Sequence, residues 1–257
     1  MNQLSVSLVQ ADLVWENKRS NLQKLEGLIN GISTTDIIVL PEMFSTGFSM
    51  KPEALYEDID GVALKWMQKM AKEKDAAICG SVIVQEGGKY FNRLYFVEPS
   101  AKVQKYDKRH LFTLAGEEKV YSAGSEHLLV DFRGWKVMPL VCYDLRFPAW
   151  CRNTHEADLQ IFVANWPERR SEAWKTLLKA RSIENMCYLV GLNRVGADGN
   201  EVMHSGDSAV YNELGEKMGG PIPFNEEVVT ITLDKEKMLQ SRKRFNFLND
   251  RDSFTIL

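Results

Sequence analysis

The sequence predicts an α/β fold in which sheets are covered by helices, and three observations predict it. Short apolar runs of strand length recur along the whole chain, each stopped by a proline, a glycine-bearing turn or a polar loop. Longer segments with helical spacing of apolar residues alternate with those runs in the first third and return once near position 175. No repeat, low-complexity tract or Pro/Gly/Ser linker divides the 257 residues, so one layered α/β domain is expected over 1–257.

Taken in order, Leu4, Val6 and Leu8 alternate with Ser5, Ser7 and Gln10, the pattern of a half-buried first strand. Leu22, Leu25, Leu28 and Ile29 recur at helical spacing. Asp36 to Leu40 is a short buried strand stopped by Pro41, and Leu64, Met67 and Met70 with Trp66 mark the next helix. Ala76 to Val84 and Tyr90 to Val97 are strands joined by the turn Glu86-Gly87-Gly88-Lys89. Val137 to Val141 and Leu159 to Ala164 are apolar strands, and Ser171 to Asn185 is a helix with Ser171 as its expected N-cap. Cys187 to Asn193, Asp207 to Tyr211 and Glu227 to Leu233 complete the strands, with turns at 197–200 and 212–215. The strand pairing order is not readable from these patterns. The tail from about residue 242 carries Phe245, Phe247 and Phe254 among charges, and is expected to dock on the body or on a partner subunit.

Composition narrows the function classes. A net charge of −3 and a pI of about 5.9 offer no basic field for nucleic acid. No signal-like opening and no apolar stretch of membrane-spanning length is present, so no membrane partner is expected. Cys79, Cys142, Cys151 and Cys187 show no CxxC spacing, which suits free thiols in a reducing, cytoplasmic setting. His110, His127, His155 and His204 have no metal-ligand spacing, and no phosphate-binding glycine loop occurs, so neither metal nor cofactor is expected.

Three loci share one design, an apolar strand with a reactive residue at or just past its end. They are Ile37 to Phe44 with Glu42, Tyr106 to Phe112 with Lys108, and Val137 to Pro148 with Cys142. Ligands sit at strand ends in α/β sheets because side chains converge there without disturbing the core. A thiol attacks an acyl carbon as its thiolate and so needs a base and a positive charge nearby. A carboxylate in a poorly solvated pocket is such a base, and an ammonium can stabilise both thiolate and oxyanion. Taken singly, each residue has a plainer role. Cys142 would be a small buried hydrophobe, Lys108 a solvated charge and Glu42 a turn or helix cap.

The strings "LPEMF", "YDKRHLF", "LVCYDLRFP" and "VANWP" occur in this order, and with them the chain resembles the nitrilase (carbon–nitrogen hydrolase) superfamily over nearly its whole length. Among its branches it is most similar to the ω-amidases. The resemblance implies a four-layer α-β-β-α sandwich, a homodimer, and a Glu-Lys-Cys triad of Glu42, Lys108 and Cys142. It also implies a second pocket carboxylate, for which Glu117 is favoured over its neighbour Glu118. The implied reaction passes through a thioester on Cys142 and releases ammonia. In that reaction the resemblance implies that Lys108 and the backbone N–H of Tyr143 would hold the oxyanion.

For an ω-amide such as 2-oxoglutaramate or 2-oxosuccinamate, the far carboxylate calls for a cation, and Arg146 stands at a matching position. Its structural alternative is to hold the loop by pairing with Asp144 or with backbone carbonyls. Phe44 and Trp166 are expected as apolar walls, and Asn165 as a hydrogen-bonding neighbour of the nucleophile loop. Carbamoylases and aliphatic nitrilases use the same three residues, and a non-catalytic binding protein on this fold is the remaining alternative. A cysteine–histidine hydrolase using His110 or His204 would leave Lys108 dispensable.

Overall fold

The computed structural model describes residues 2–256. Its first five strands, β1 (Gln3–Gln10), β2 (Ile37–Val39), β3 (Ala77–Glu86), β4 (Lys89–Val97) and β5 (Val103–Asp107), lie in one sheet. The next four, β6 (Val130–Phe132), β7 (Trp135–Val141), β8 (Leu159–Ala164) and β9 (Tyr188–Asn193), belong to a second. A two-stranded ribbon follows, β10 (Val195–Ala197) with β11 (Met203–Ser205). Then β12 (Ala209–Tyr211) and β13 (Lys217–Gly219) complete the second sheet, and β14 (Glu227–Asp234) returns to the first. The orders are β14-β1-β2-β3-β4-β5 and β13-β12-β9-β8-β7-β6.

Six helices accompany them among the described residues: α1 (Lys18–Asn30), α2 (Pro52–Leu55), α3 (Val62–Lys74), α4 (Pro148–Cys151), α5 (Ser171–Asn185) and α6 (Lys235–Phe245).

The layering follows from side-chain alternation. In β2, Ile37 and Val39 join the core between the sheets, while Ile38 packs with Leu25 and Ile29 of α1 and Met67 and Met70 of α3. Leu4, Val6 and Leu8 of β1 likewise share a cluster with Val137, Leu140 and Ile161 of the second sheet. α5 covers the outer face of that sheet, where Gly191 leaves room for Leu178. A Cβ at Gly191 would lie 2.3 Å from a Leu178 methyl carbon. The result is the four-layer α-β-β-α sandwich.

In each sheet the central strands run parallel, β1, β2 and β3 in one and β7, β8 and β9 in the other. Two antiparallel steps bring β5 back into the direction of β3. The carboxyl ends of β2, β5, β7 and β8 therefore deliver Glu42, Lys108, Cys142 and Asn165.

The β3–β4 turn occurs as expected, with Gly87 and Gly88 both at positive φ (59° and 76°). Two expectations are corrected. β1 is covered on both faces rather than half-buried, since Ser7 and Gln10 are buried as well. Ser171 is the first residue of α5 rather than its cap. Arg170 stands at the cap position, and the Ser171 hydroxyl donates to Asp207 at 2.7 Å. The tail is partly docked: Arg242 donates to the carbonyls of Met186 and Ala157, both at 2.6 Å, whereas Phe247 and Phe254 remain exposed.

Candidate active site

Cys142 follows β7 directly and takes a left-handed conformation, φ 45°, at the start of a 3-10 turn (Cys142–Arg146). A non-glycine residue in that region is strained and is held there by its surroundings. The holding group is Asp144, a fully buried carboxylate. It accepts from the Val141 N–H (3.0 Å) and the Tyr106 hydroxyl (2.7 Å) through one oxygen. Its other oxygen meets the backbone N–H and Nδ1 of His110 (3.0 and 2.9 Å). Asp144 is thus saturated by β5 and its sequel, and Arg146 is not its partner. His110 is occupied too, stacked on Phe147 with ring centroids 3.6 Å apart.

Beside Cys142 lies a buried charge cluster. Lys108 Nζ donates to Glu42 Oε1 at 2.9 Å and to both Glu117 oxygens at 2.9 and 3.1 Å, and none of the three side chains is exposed. Asn92, inside β4, donates to Glu42 (2.8 Å) and Glu117 (3.3 Å). The second Glu42 oxygen accepts the Asn165 N–H at 2.8 Å, and Glu117 accepts the Phe112 N–H at 2.6 Å. Of the two neighbouring glutamates, Glu117 reaches the cluster and Glu118 is exposed.

Burial works against the Lys108 ammonium, but Glu117, Glu42 and Cys142 outweigh it and raise its pKa. Burial chiefly, and then Glu42, raises the Glu117 carboxyl, against the pull of Lys108. For Cys142, burial and the negative charge of Glu42 hold the thiol well above its ordinary range, while Lys108 pulls it down. The resting arrangement is a protonated thiol next to a carboxylate and an ammonium, poised for proton transfer when an electrophile arrives.

Cys142 and Lys108 open into a cavity of about 490 Å³ whose lining includes Tyr143, Arg146 and Trp166, as expected, together with Phe48, Phe112 and Arg170. Phe44 does not line it. That ring is wholly buried on the helix side of the first sheet, 5.8 Å from Trp66, and Phe48 supplies the aromatic wall instead. The reason is the backbone kink at Met43 (φ 44°), which turns the residues after Glu42 away from a simple strand alternation.

Sequence reasoning missed Asn92, Phe48, Phe112 and Arg170. Only Asn92 carried a visible signal, an uncharged amide in the middle of a strand rich in aromatic and apolar residues. Among the described residues no group of three or more His, Cys, Asp or Glu side chains is placed to hold a metal, and no helix is long and apolar enough to cross a membrane.

A thiol, a carboxylate pair and a buried ammonium at the strand ends of an α-β-β-α sandwich define the class, and comparison identifies it. The chain belongs to the carbon–nitrogen hydrolase family, whose model matches residues 5–243, and it is a hydrolase of carbon–nitrogen bonds. It is 42% identical to the ω-amidase YafV of Escherichia coli across 98% of each chain. It is 32% identical to the 2-oxoglutaramate amidase of Bacillus subtilis across 96% of each. A carbon–nitrogen hydrolase superfamily protein of Xanthomonas campestris, solved with an arsenic adduct in its active site, superposes with a TM-score of 0.97 at 42% identity over both full chains.

Proposed function

We propose that this hydrolase is an ω-amidase, cleaving the terminal amide of a small dicarboxylate monoamide of the 2-oxoglutaramate or 2-oxosuccinamate type to carboxylate and ammonia. The observation that carries the reading is the Glu42–Lys108–Glu117 cluster beside Cys142 at one end of a cavity that also holds the guanidinium of Arg146, which pairs with no carboxylate among the described residues. One end suits acyl transfer and the other suits a carboxylate.

Glu42 takes the Cys142 proton as the thiolate adds to the amide carbon, and the oxyanion rests against Lys108 and the Tyr143 N–H. The proton passes from Glu42 to the departing nitrogen, ammonia leaves and a thioester remains. Water then gives a proton to Glu42 and attacks the thioester, the carboxylic acid departs, and the thiol is restored. Glu117 keeps Lys108 aimed at the oxyanion. Arg146 receives the distal carboxylate, and Trp166 and Phe48 exclude water around the carbon chain.

The test is ammonia release measured in parallel from 2-oxoglutaramate, 2-oxosuccinamate, glutamine, a carbamoyl amino acid and a simple nitrile. Highest kcat/KM on one of the first two is expected, and a winner among the others overturns the substrate. Loss of ammonia release in Cys142→Ala is expected, and retained turnover overturns the mechanism.

The same reading places the enzyme in the cytoplasm as a homodimer. The apolar rings left exposed on the tail, Phe247 and Phe254, support a surface that pairs. Sedimentation of the full chain against one truncated after Phe245 tests it, with a monomeric full chain as the adverse result.

A further inference from the structure

Arg146 does not stand alone in the cavity. Arg170 ends a 3-10 turn (Glu168–Arg170) just before α5 and lines the same space. The Arg146 guanidinium lies 4.8 Å from the Trp166 ring centre, and that of Arg170 lies 5.1 Å from the Phe112 ring centre. Neither forms an ion pair with a carboxylate among the described residues.

The acidic groups that share the lining are already engaged. Glu16 accepts from Ser49 at 2.7 Å and Lys51 at 3.3 Å, and Asp198 accepts the N–H groups of Asn200 and Val202 at 2.8 and 3.0 Å. Burial first, then the neighbouring charges of Arg169 and Arg146, lower the Arg170 pKa, while Cys142 pulls it the other way. Arg170 therefore sits within electrostatic reach of both the thiol and the other pocket arginine. Two partly buried cations with no carboxylate partner among the described residues repel each other, and an anion between them removes that repulsion.

Trp166 ties the pair together. Its ring face carries Arg146, while its indole N–H donates to the Arg170 carbonyl at 2.8 Å. Its own backbone is locked by Asn193, which accepts the Trp166 N–H at 2.7 Å and donates to its carbonyl at 2.9 Å. The preceding residue, Asn165, gives its N–H to Glu42. One strand end thus fixes the base at one end of the cavity and the cations at the other.

We propose that Arg170 acts with Arg146 as a two-guanidinium seat for the distal carboxylate of the substrate, bracketed by Trp166, so that Arg170 is a specificity-determining residue. This rests on the ω-amidase reading and assigns the second half of its anion site. Because the bracket is rigid, the seat also meters chain length between the carboxylate and the amide.

The experiment compares wild type, Arg170→Met and Arg170→Lys on 2-oxoglutaramate and on pentanamide, an uncharged amide of the same carbon count. Thermal melting of each variant confirms folding. For Arg170→Met, KM for 2-oxoglutaramate should rise by about 10- to 100-fold with a much smaller change in kcat, the loss typical of a charge-assisted contact. kcat/KM on pentanamide should fall far less, and Arg170→Lys should recover part of the loss. Equal losses on both amides, or none on either, would overturn the role of Arg170. A wild type without preference for the charged amide would instead overturn the substrate reading itself. Calorimetry of 2-oxoglutarate binding to Cys142→Ala, with and without Arg170→Met, gives a readout free of turnover. About tenfold weaker binding in the double variant is expected, and equal binding refutes the seat.

Discussion

Asn165 holds Glu42 from two sides: its backbone N–H donates to Oε2 at 2.8 Å, and its side-chain amide donates to the Glu42 carbonyl. The contact crosses from the second sheet to the first, so the orientation of the base depends on how the two sheets are stacked. In Asn165→Leu the Glu42 carbonyl loses its donor in a buried site, at a cost of about 1–3 kcal/mol. A fall in kcat of roughly tenfold or more is expected, with a lower melting temperature. Stopped-time ammonia assays and calorimetry check both, and an unchanged kcat would show that Glu42 is positioned without it.

Asp144 serves the nucleophile in a different way, by closing the strained turn that presents it. Asp144→Ala strands the Val141 N–H and the Tyr106 hydroxyl in a buried pocket and removes the anchor of the half-buried His110 ring. A destabilisation of about 2–5 kcal/mol is expected, since two buried donors each lose their acceptor at about 1–3 kcal/mol apiece. Denaturant midpoints measure it. Asp144→Asn should recover part of the stability, since the amide oxygen can still accept from Val141.

Thiol chemistry should be confined to one of four cysteines. Cys79, Cys151 and Cys187 are wholly buried in the core, and burial pushes all three thiols up, Cys187 to about 12. Cys142 alone opens on the cavity and has a base beside it. Iodoacetamide should add a single carbamidomethyl group at Cys142, read by mass spectrometry of the peptides. Glu42→Gln should slow that addition sharply. A second adduct formed at the same rate would contradict the assignment.

His204 makes stability depend on acid. Burial, then the charge of Arg194, lowers its pKa from 6.5 to about 4. Between those values the unfolded chain binds a proton there and the native state does not, so stability falls as pH drops from about 6.5 towards 4. The contribution is at most roughly 3–4 kcal/mol, from 1.36 kcal/mol per pKa unit. Urea melts at pH 7 and pH 4.5 should differ less in His204→Gln than in wild type, and an equal difference in the two proteins would place the acid sensitivity elsewhere.

Much of the fold was legible because the chain repeats its instructions locally. The limits of α5 and β8 match the expected spans, and the Glu-Gly-Gly-Lys turn sits where glycines at positive φ permit it. Helix α6 was not anticipated. Its segment from Lys235 to Phe245 is largely charged, with only Met238 buried, so no apolar stripe announces it; the Asp234 cap, accepting from Glu236 and Lys237 N–H groups at 3.0 and 3.2 Å, is its main local signal. Short β6, β10, β11 and β13 were missed for a similar reason, since three residues hold too little periodicity to read.

By itself the sequence determined the family, the strand-end placement of Glu42, Lys108 and Cys142, and the preference for Glu117 over Glu118, because these are properties of order and neighbourhood along the chain. Tertiary structure alone decided the rest. Whether Arg146 pairs with Asp144, whether Phe44 or Phe48 faces the cavity, and whether Arg170 joins the site all depend on backbone kinks and on contacts between segments far apart in sequence. Asp144 was claimed by Tyr106 and His110 across the sheets, which left Arg146 without a carboxylate partner among the described residues, and the stacking of β8 on β2 carried Arg170 into the same cavity. A spacing pattern records which side chains share a strand; it holds no record of which buried carboxylate has already spent its lone pairs.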